Sequence, residues 1–261
     1  METYIHGHQE SVLTIHRARN VSNSAPYLLD LLDGIESVLD VGCGPGSITK
    51  DFVDSFPHLS VVGVDQDPTV LINAKMEHST KRVSFAVGSA YQLPCDDKSF
   101  DLVHAHQVLQ HVKDPQRIVR EMMRVSRQYV AFADADYEAM FWWPLNDGLS
   151  RWMEIYQQIA KANEVDPNIG RKLPELIRSM GAVQVQVSTY AFAHTTQEQC
   201  IWWGDAWSER VLTSNYAHEA IRLNLSTRQE LEEISNSWKL WARAQGAIFI
   251  VTNVGVLATM T

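Results

Sequence analysis

The sequence predicts a doubly wound α/β fold carrying helical cap inserts, and three observations predict it. A short apolar strand runs directly into a turn with glycine at every second position, over residues 38–46. Apolar runs of strand length then alternate with helical segments as far as residue 133, the order that builds a parallel sheet. Two helical stretches, at about 137–180 and 195–245, break that alternation, and each is followed by a further strand. The reading is one domain over 1–261, with a core of about 24–136 plus 182–190 and 247–257.

In chain order, a helix is expected after Asn23 or Ser24 as N-cap, with Pro26 in its first turn. Val38, Leu39 and Val41 form the first strand, and Ser47 to Phe56 the helix after the glycines. Leu59 to Val64 is a second strand ending in Asp65, and Asp67-Pro68 opens a helix to about Ser79. Strands follow at Arg82–Val87, Phe100–Ala105 and Tyr129–Ala133, with a helix opened by Asp114-Pro115 before the last of these. Leu149, Trp152, Met153, Tyr156 and Ile159 recur at helical spacing, and Leu173–Met180 is a helix closed by Gly181. Ala182–Tyr190 is a sixth strand and Ala247–Leu257 a seventh. Thr195 with Glu198, and Thr227 with Glu230, have the spacing of capping boxes for helices between those two strands.

The glycine spacing bears on the ligand. A dinucleotide fingerprint needs G-x-G-x-x-G, but Ser47 stands where its third glycine would fall. What is present is acidic-x-Gly-x-Gly-x-Gly from Asp40 through Gly42, Gly44 and Gly46. This resembles motif I of the class I S-adenosylmethionine (SAM) methyltransferases. Asp65 lies where a βαβ nucleotide fold places the acid that binds ribose hydroxyls. Gly42–Gly46, Asp65, Ser89-Ala90 and His106 all fall at carboxyl ends of strands, where such sheets bind ligands.

Composition narrows the rest. Hydrophobic residues make up 45% and charged residues 20%, as in ordinary globular proteins. A net charge of −9 argues against nucleic acid, which needs clustered Lys and Arg. No apolar run reaches the ~18 residues of a membrane span, and the start of the chain lacks a signal-peptide pattern. Cys43, Cys95 and Cys200 form neither a disulfide framework nor a metal spacing, so a reduced, cytoplasmic setting is expected. His6 and His8 could ligate a metal but lack a third ligand, and no metal is expected. Five of the eight tryptophans cluster as Trp142-Trp143 and Trp202-Trp203 with Trp207. They either line a pocket for a flat small molecule or fill the core between cap helices.

With these motifs in this order the chain resembles the UbiE-like class I methyltransferases of ubiquinone and menaquinone biosynthesis. The remainder is similar to an uncharacterised branch of that family. The likeness there is carried by Tyr4-Ile5-His6-Gly7-His8, Arg19 to Leu29, His104 to His111, Asp134-Ala135-Asp136-Tyr137 with Trp142-Trp143-Pro144, and Trp202 to Val211. The resemblance implies a Rossmann-like seven-stranded, mostly parallel sheet and SAM as cofactor. It implies that Asp40 and the backbone of Gly42, Cys43, Gly44 and Gly46 hold the methionine end. By the same likeness Asp65 takes the ribose hydroxyls, Gln66 lies against the adenine, Ser89 and Ala90 bound its edge, and His106 and Gln107 close over the sulfonium side. Ser89 stands where the family usually has Asp, and Val251 to Gly255 replaces the branch's His-Gly-Glu.

Transfer from a sulfonium works chiefly by alignment, and needs a base only where the nucleophile arrives protonated. His111 is the first candidate base, or else a histidine packed against a helix; His16, His106 and Tyr137 are weaker ones. Asp134 and Asp136 either orient a substrate or cap a loop. Tyr137, Trp142, Trp143, Trp203 and Trp207 are the candidate substrate contacts. No Asn/Asp-Pro-Pro-Tyr tetrapeptide of amino-group methyltransferases is present, which favours a small-molecule acceptor. A SAM-fold cyclase and a non-catalytic SAM-binding protein remain as rival readings.

Overall fold

The structure, a computed structural model, describes residues 5 and 10–260. Its sheet is built from β1 (Ser37–Val41), β2 (Ser60–Asp65), β3 (Val83–Val87), β4 (Phe100–His106), β5 (Ser126–Ala135), β6 (Phe141–Trp143), β7 (Gln184–His194) and β8 (Ile248–Thr259). The first five strands are parallel in the order 3-2-1-4-5. β8 then runs antiparallel beside β5, with Asp134 opposite Val254. β7 pairs with the other edge of β8 along its full length, from Gln184 opposite Thr259 to His194 opposite Phe249. The Rossmann-like, mostly parallel sheet of seven main strands is therefore as expected.

The eighth strand was not. Phe141–Trp143 pairs with Phe249 and its neighbours just beyond the end of β5, so β5 and β6 share one edge of β8 in succession. Three residues are too few to show a period of two, which is why the segment reads as irregular in sequence.

Strand residues alternate between two cores, because a sheet covered on both faces needs apolar residues in both directions. Val38, Val61, Leu102 and Ala131 point to one face and pack with Leu28, Leu32, Phe52 and Leu71. Leu39, Val41, Val103, Val130 and Phe132 point to the other and pack with Ile118, Met122, Leu173 and Ile177. A third core lies among the helices Asp147–Ala162, Gln197–Thr213, Asn215–Arg222 and Arg228–Ala242. Trp152 stands edge-on to Trp207 and Trp238 there, with ring centroids 4.6 and 5.0 Å apart. Gly204 permits the 197–213 and 228–242 helices to touch: a Cβ on it would lie 2.4 Å from that of Ala242.

Two helix starts differ from the sequence reading. The helix expected after residue 23 is broken into Val21–Ser24, a 3-10 turn Pro26–Leu28, and Leu29–Leu32, and Asn20 is the N-cap in a box with Asn23. The reason is Pro26, which lacks an amide donor and so interrupts the ladder. The 197–213 helix is capped by Thr196 with Gln199 rather than Thr195 with Glu198. Asp67, Asp114 and Thr227 are N-caps as their spacing indicates.

Candidate active site

The glycine turn leaves β1 bonded to β2: the amides of Gly42 and Cys43 both donate to the Val64 carbonyl, at 2.7 and 3.1 Å. Gly44 has φ +54, and nothing lies within 4 Å of where its Cβ would be. Its backbone is thus open to a ligand, in a conformation that glycine adopts without strain. Gly46 has a different task. A Cβ there would meet the Phe85 ring at 2.7 Å, so the absent side chain lets the following helix pack on the sheet. Gly46 is a packing residue and does not line the cavity.

The two acids are already engaged. Asp40, 2% exposed, accepts from Thr49 Oγ1 at 2.6 Å and faces His104 Nδ1 at 2.9 Å. Asp65 accepts the Gly44 amide on Oδ2 at 2.9 Å and the Asp67 amide on Oδ1 at 3.0 Å. Each carboxylate oxygen has a second lone pair, so both can still accept from a ligand. The Ser89 hydroxyl accepts the Tyr91 amide at 3.2 Å, a local turn that fixes its direction. Cys43 is buried in the turn, and burial first of all holds its thiol well above its ordinary pKa. It is therefore an inert wall rather than a nucleophile.

These residues open on one cavity of about 290 Å³. Asp40, Gly42, Cys43, Gly44, Asp65, Gln66, Ser89, Ala90, His106 and Gln107 line one end of it. His111, Tyr137, Trp203 and Trp207 line its continuation toward the helical inserts. Trp142 and Trp143 do not. Trp142 stacks on Phe249 at 5.8 Å within the helical core, and Trp143 is 57% exposed beside it. The two tryptophan clusters therefore have different fates: one lines the cavity, while the other puts Trp142 into the core and Trp143 at the surface.

Gln107 follows β4 directly with φ +53, a left-handed conformation uncommon for a residue with a side chain. Three contacts hold it there. Its amide donates to the Ala133 carbonyl, Arg19 donates to its Oε1 at 2.5 Å, and its Nε2 donates to Asn253 Oδ1 at 2.9 Å. Arg19 also approaches His106 Nδ1 at 3.5 Å, while His106 Nε2 is buried with no hydrogen-bond partner. The segment before Arg19 is tied down as well, because Ser47 Oγ donates to the His16 carbonyl at 2.8 Å.

Behind the cavity wall, Asp134 is fully buried and accepts the Gln110 amide at 3.0 Å. Burial pushes its carboxyl up to about pKa 7. The Gln110 side chain accepts from the Ala135 amide at 2.9 Å and its Nε2 donates to His111 Nε2 at 3.0 Å. Burial, then the Arg19 and Arg210 charges, push His111 down to about 3. An imidazole this hard to protonate is a weak base near neutrality, which argues against His111 as the general base. Burial likewise holds His16 and His106 well below the ordinary histidine value and raises the Tyr137 phenol. Asp136 takes no part in the cavity. Its carboxylate is clamped by Arg171 at 2.5 and 2.6 Å, which fixes the start of the insert.

Sequence reasoning missed Arg19, Arg210, Phe192 and His194, all of which line the cavity; Trp202, read with its cluster as pocket or core, lines it too. Only Arg210 left a signal: a cation inside an otherwise apolar stripe with Trp203, Trp207 and Val211. No group of three or more His, Cys, Asp or Glu able to hold a metal occurs among the described residues, and His6 and His8 lie outside them. No described helix is long and apolar enough to cross a membrane.

Known proteins share both the sequence and the architecture. Residues 39–132 match the methyltransferase domain family. An uncharacterised methyltransferase of Schizosaccharomyces pombe is 27% identical over 96% of this chain and 94% of its own. The demethylmenaquinone methyltransferase of Thermotoga maritima is 33% identical over 36% of this chain and 40% of its own. Among solved structures, a methyltransferase from an antibiotic biosynthesis pathway of Anabaena variabilis superposes with TM-score 0.60, at 15% identity, over 94% of this chain and 99% of that one. The Haemonchus contortus phosphoethanolamine N-methyltransferase 2, solved with S-adenosylhomocysteine, superposes with TM-score 0.54 at 17% identity, over 87% of this chain and 49% of that one. The open Gly44 backbone and the two acids fit the cofactor of that class, which presents an amino-acid tail and a ribose. Residues 39–132 thus carry a methyltransferase domain, the sheet has the class I methyltransferase fold, and the cofactor is S-adenosylmethionine.

Proposed function

We propose that the chain methylates a small molecule bound in the same cavity as the cofactor, with residues 1–261 acting as one unit whose helical inserts cover the acceptor. The observation that carries this reading is the continuity of the cavity from Gly44 to Trp203 and Trp207. S-adenosylmethionine, when bound, supplies an electrophilic methyl group. Asp65 serves the ribose, Gln66, Ser89 and Ala90 the adenine, and Asp40 with the backbone of Gly42, Cys43 and Gly44 the methionine end. Arg19, held by Gln107, is the partner for the methionine carboxylate, and His106 and Gln107 bound the sulfonium side. Tyr137, Trp203 and Trp207 form the walls for the acceptor.

The chain's own contribution is alignment in a closed, desolvated space, an effect worth up to ~7–11 kcal/mol. His16, His106 and His111 are all held neutral, so the acceptor brings its nucleophile already ionised or neutral and basic. The likeness to demethylmenaquinone methyltransferase is confined to about a third of this chain, so it says nothing of the acceptor. The UbiE-like assignment accordingly applies to the cofactor half. The three free cysteines suit a reducing compartment, and we place the protein in the cytoplasm.

Calorimetric titration with S-adenosylhomocysteine, with NADH as control, tests the reading. One-to-one micromolar binding of the former alone is expected; binding of NADH, or of neither ligand, overturns it.

A further inference from the structure

His106 and Trp203 line the cavity, and each carries a buried nitrogen with no hydrogen-bond partner among the described residues. His106 ends β4 at 6% exposure. Arg19 reaches its Nδ1 at 3.5 Å, and a guanidinium can only donate, so that nitrogen carries the lone pair. Burial, then the Arg19 charge, hold the ring neutral, which leaves its one proton on the unpartnered Nε2. Phe192 stands edge-on to the ring at 6.0 Å and steadies its plane. Trp203 is 8% exposed, and its indole, stacked with His194 at a centroid distance of 4.4 Å, can only donate from Nε1. Buried donors of this kind are destabilising until a ligand or water answers them.

The reading above puts His106 on the sulfonium side, so its N–H meets the atom that reacts. Among the described lining residues the acids are Asp40 and Asp65, both at the glycine end, so no carboxylate there serves an amine N–H on the acceptor. A neutral amine attacks with its one lone pair and has nothing left for a donor. A phenolate oxygen has three, so one can accept from His106 while another attacks. Donation to the charged form also favours phenolate over phenol. Resting on the methyltransferase reading, we infer that the acceptor is a phenol bound as its phenolate, its oxygen held by His106 Nε2–H, and that this oxygen is methylated. Trp203 Nε1–H serves a second oxygen on the ring. The phenol's proton goes to solvent before binding; the oxygen then takes the methyl group, and the carbon–sulfur electron pair stays on sulfur as the sulfonium becomes a thioether.

S-adenosylhomocysteine binding is measured first, because its failure overturns the methyltransferase reading itself. Once that ligand binds, the later steps bear on this inference alone. With it saturating, para-nitrophenol and para-hydroxyacetophenone are each titrated by calorimetry against the matching anilines. At least one phenol is expected to bind about tenfold or more tightly than its aniline, as a charge-assisted contact requires. His106→Phe is expected to remove that preference while aniline affinity stays within about threefold, a split that general damage to the site would not produce. Nitrogen NMR of the unmodified protein should show His106 neutral with its proton on Nε2. With S-adenosylmethionine instead, the tighter phenol should leave as its methyl ether. Phenols that bind no better than their anilines, or a His106 proton on Nδ1, overturn the inference without any variant. So does a preference that survives His106→Phe, and so does recovery of a ring-methylated or unchanged phenol.

Discussion

The Gly44 amide donates to Asp65 Oδ2 at 2.9 Å, so the carboxyl end of β2 is bonded to the turn that leaves β1. One side chain therefore shapes the loop and faces the cavity it encloses. Asp65→Ala leaves the Gly44 and Asp67 amides without their acceptor, at a cost of about 1–3 kcal/mol in urea unfolding. S-adenosylhomocysteine affinity should fall about tenfold or more; a loss under about threefold would show that Asp65 does not hold the ribose.

Gly44→Ala separates ligand space from stability. The new methyl meets no protein atom, and the left-handed backbone costs about 1–2 kcal/mol. Binding of S-adenosylhomocysteine should suffer far more than the melting temperature does. Equal affinity for both proteins would mean that no ligand passes over this backbone.

Asp134 predicts a pH dependence of stability. Its folded pKa, about 7, lies above the ordinary carboxyl value of 3.8. The folded state therefore holds this proton more tightly, and the stability it contributes is present below about pH 4 and lost as pH rises toward 7. The full swing is on the order of 4 kcal/mol. Asp134→Asn, which stays neutral, should flatten that part of the curve in urea unfolding between pH 4 and 8. A variant whose curve parallels the unmodified protein's would refute the raised value.

His111 should remain neutral across the physiological range. Its imidazole nitrogens, followed by NMR, are expected to show no titration between pH 5 and 8, because burial and two arginine charges oppose the proton. A midpoint above pH 6 would restore it as a base.

Gly204→Ala tests the contact between the cap helices. Alanine gains about 1 kcal/mol in helix propensity over glycine. Its methyl, however, would lie 2.4 Å from Ala242 Cβ and 3.0 Å from the Trp238 carbonyl. Overpacking costs about 1–3 kcal/mol, so a net loss is expected in urea unfolding. A gain would mean that the helices separate freely.

The residues that sequence alone made legible share a physical reason. Gly42, Gly44, Asp65 and Asp67 act within a few residues of their own strand ends, where backbone and cap chemistry are local. The strands of the parallel sheet were legible because burial on both faces leaves continuous apolar runs. Arg19 and Asn253 were not, because each reaches Gln107 across the fold. The tryptophans were ambiguous for a different reason. Trp142 and Trp203 are equally apolar and both pack on Phe249 in the helical core, but only Trp203 also reaches the cavity. His111 had the right type and position, but burial withdrew its basicity, and burial is not written in spacing.

β8 is made last and inserted between strands made earlier, and it delivers Asn253 to Gln107. During synthesis the ribosome releases β1 to β5, the glycine turn and Asp65 well before residues 248–259 emerge. The cofactor half of the crevice can therefore assemble on a nascent chain, while the strained Gln107 corner waits for the final strand. Any truncation that removes β8 would leave a sheet with its nucleotide end formed and its reaction corner unset.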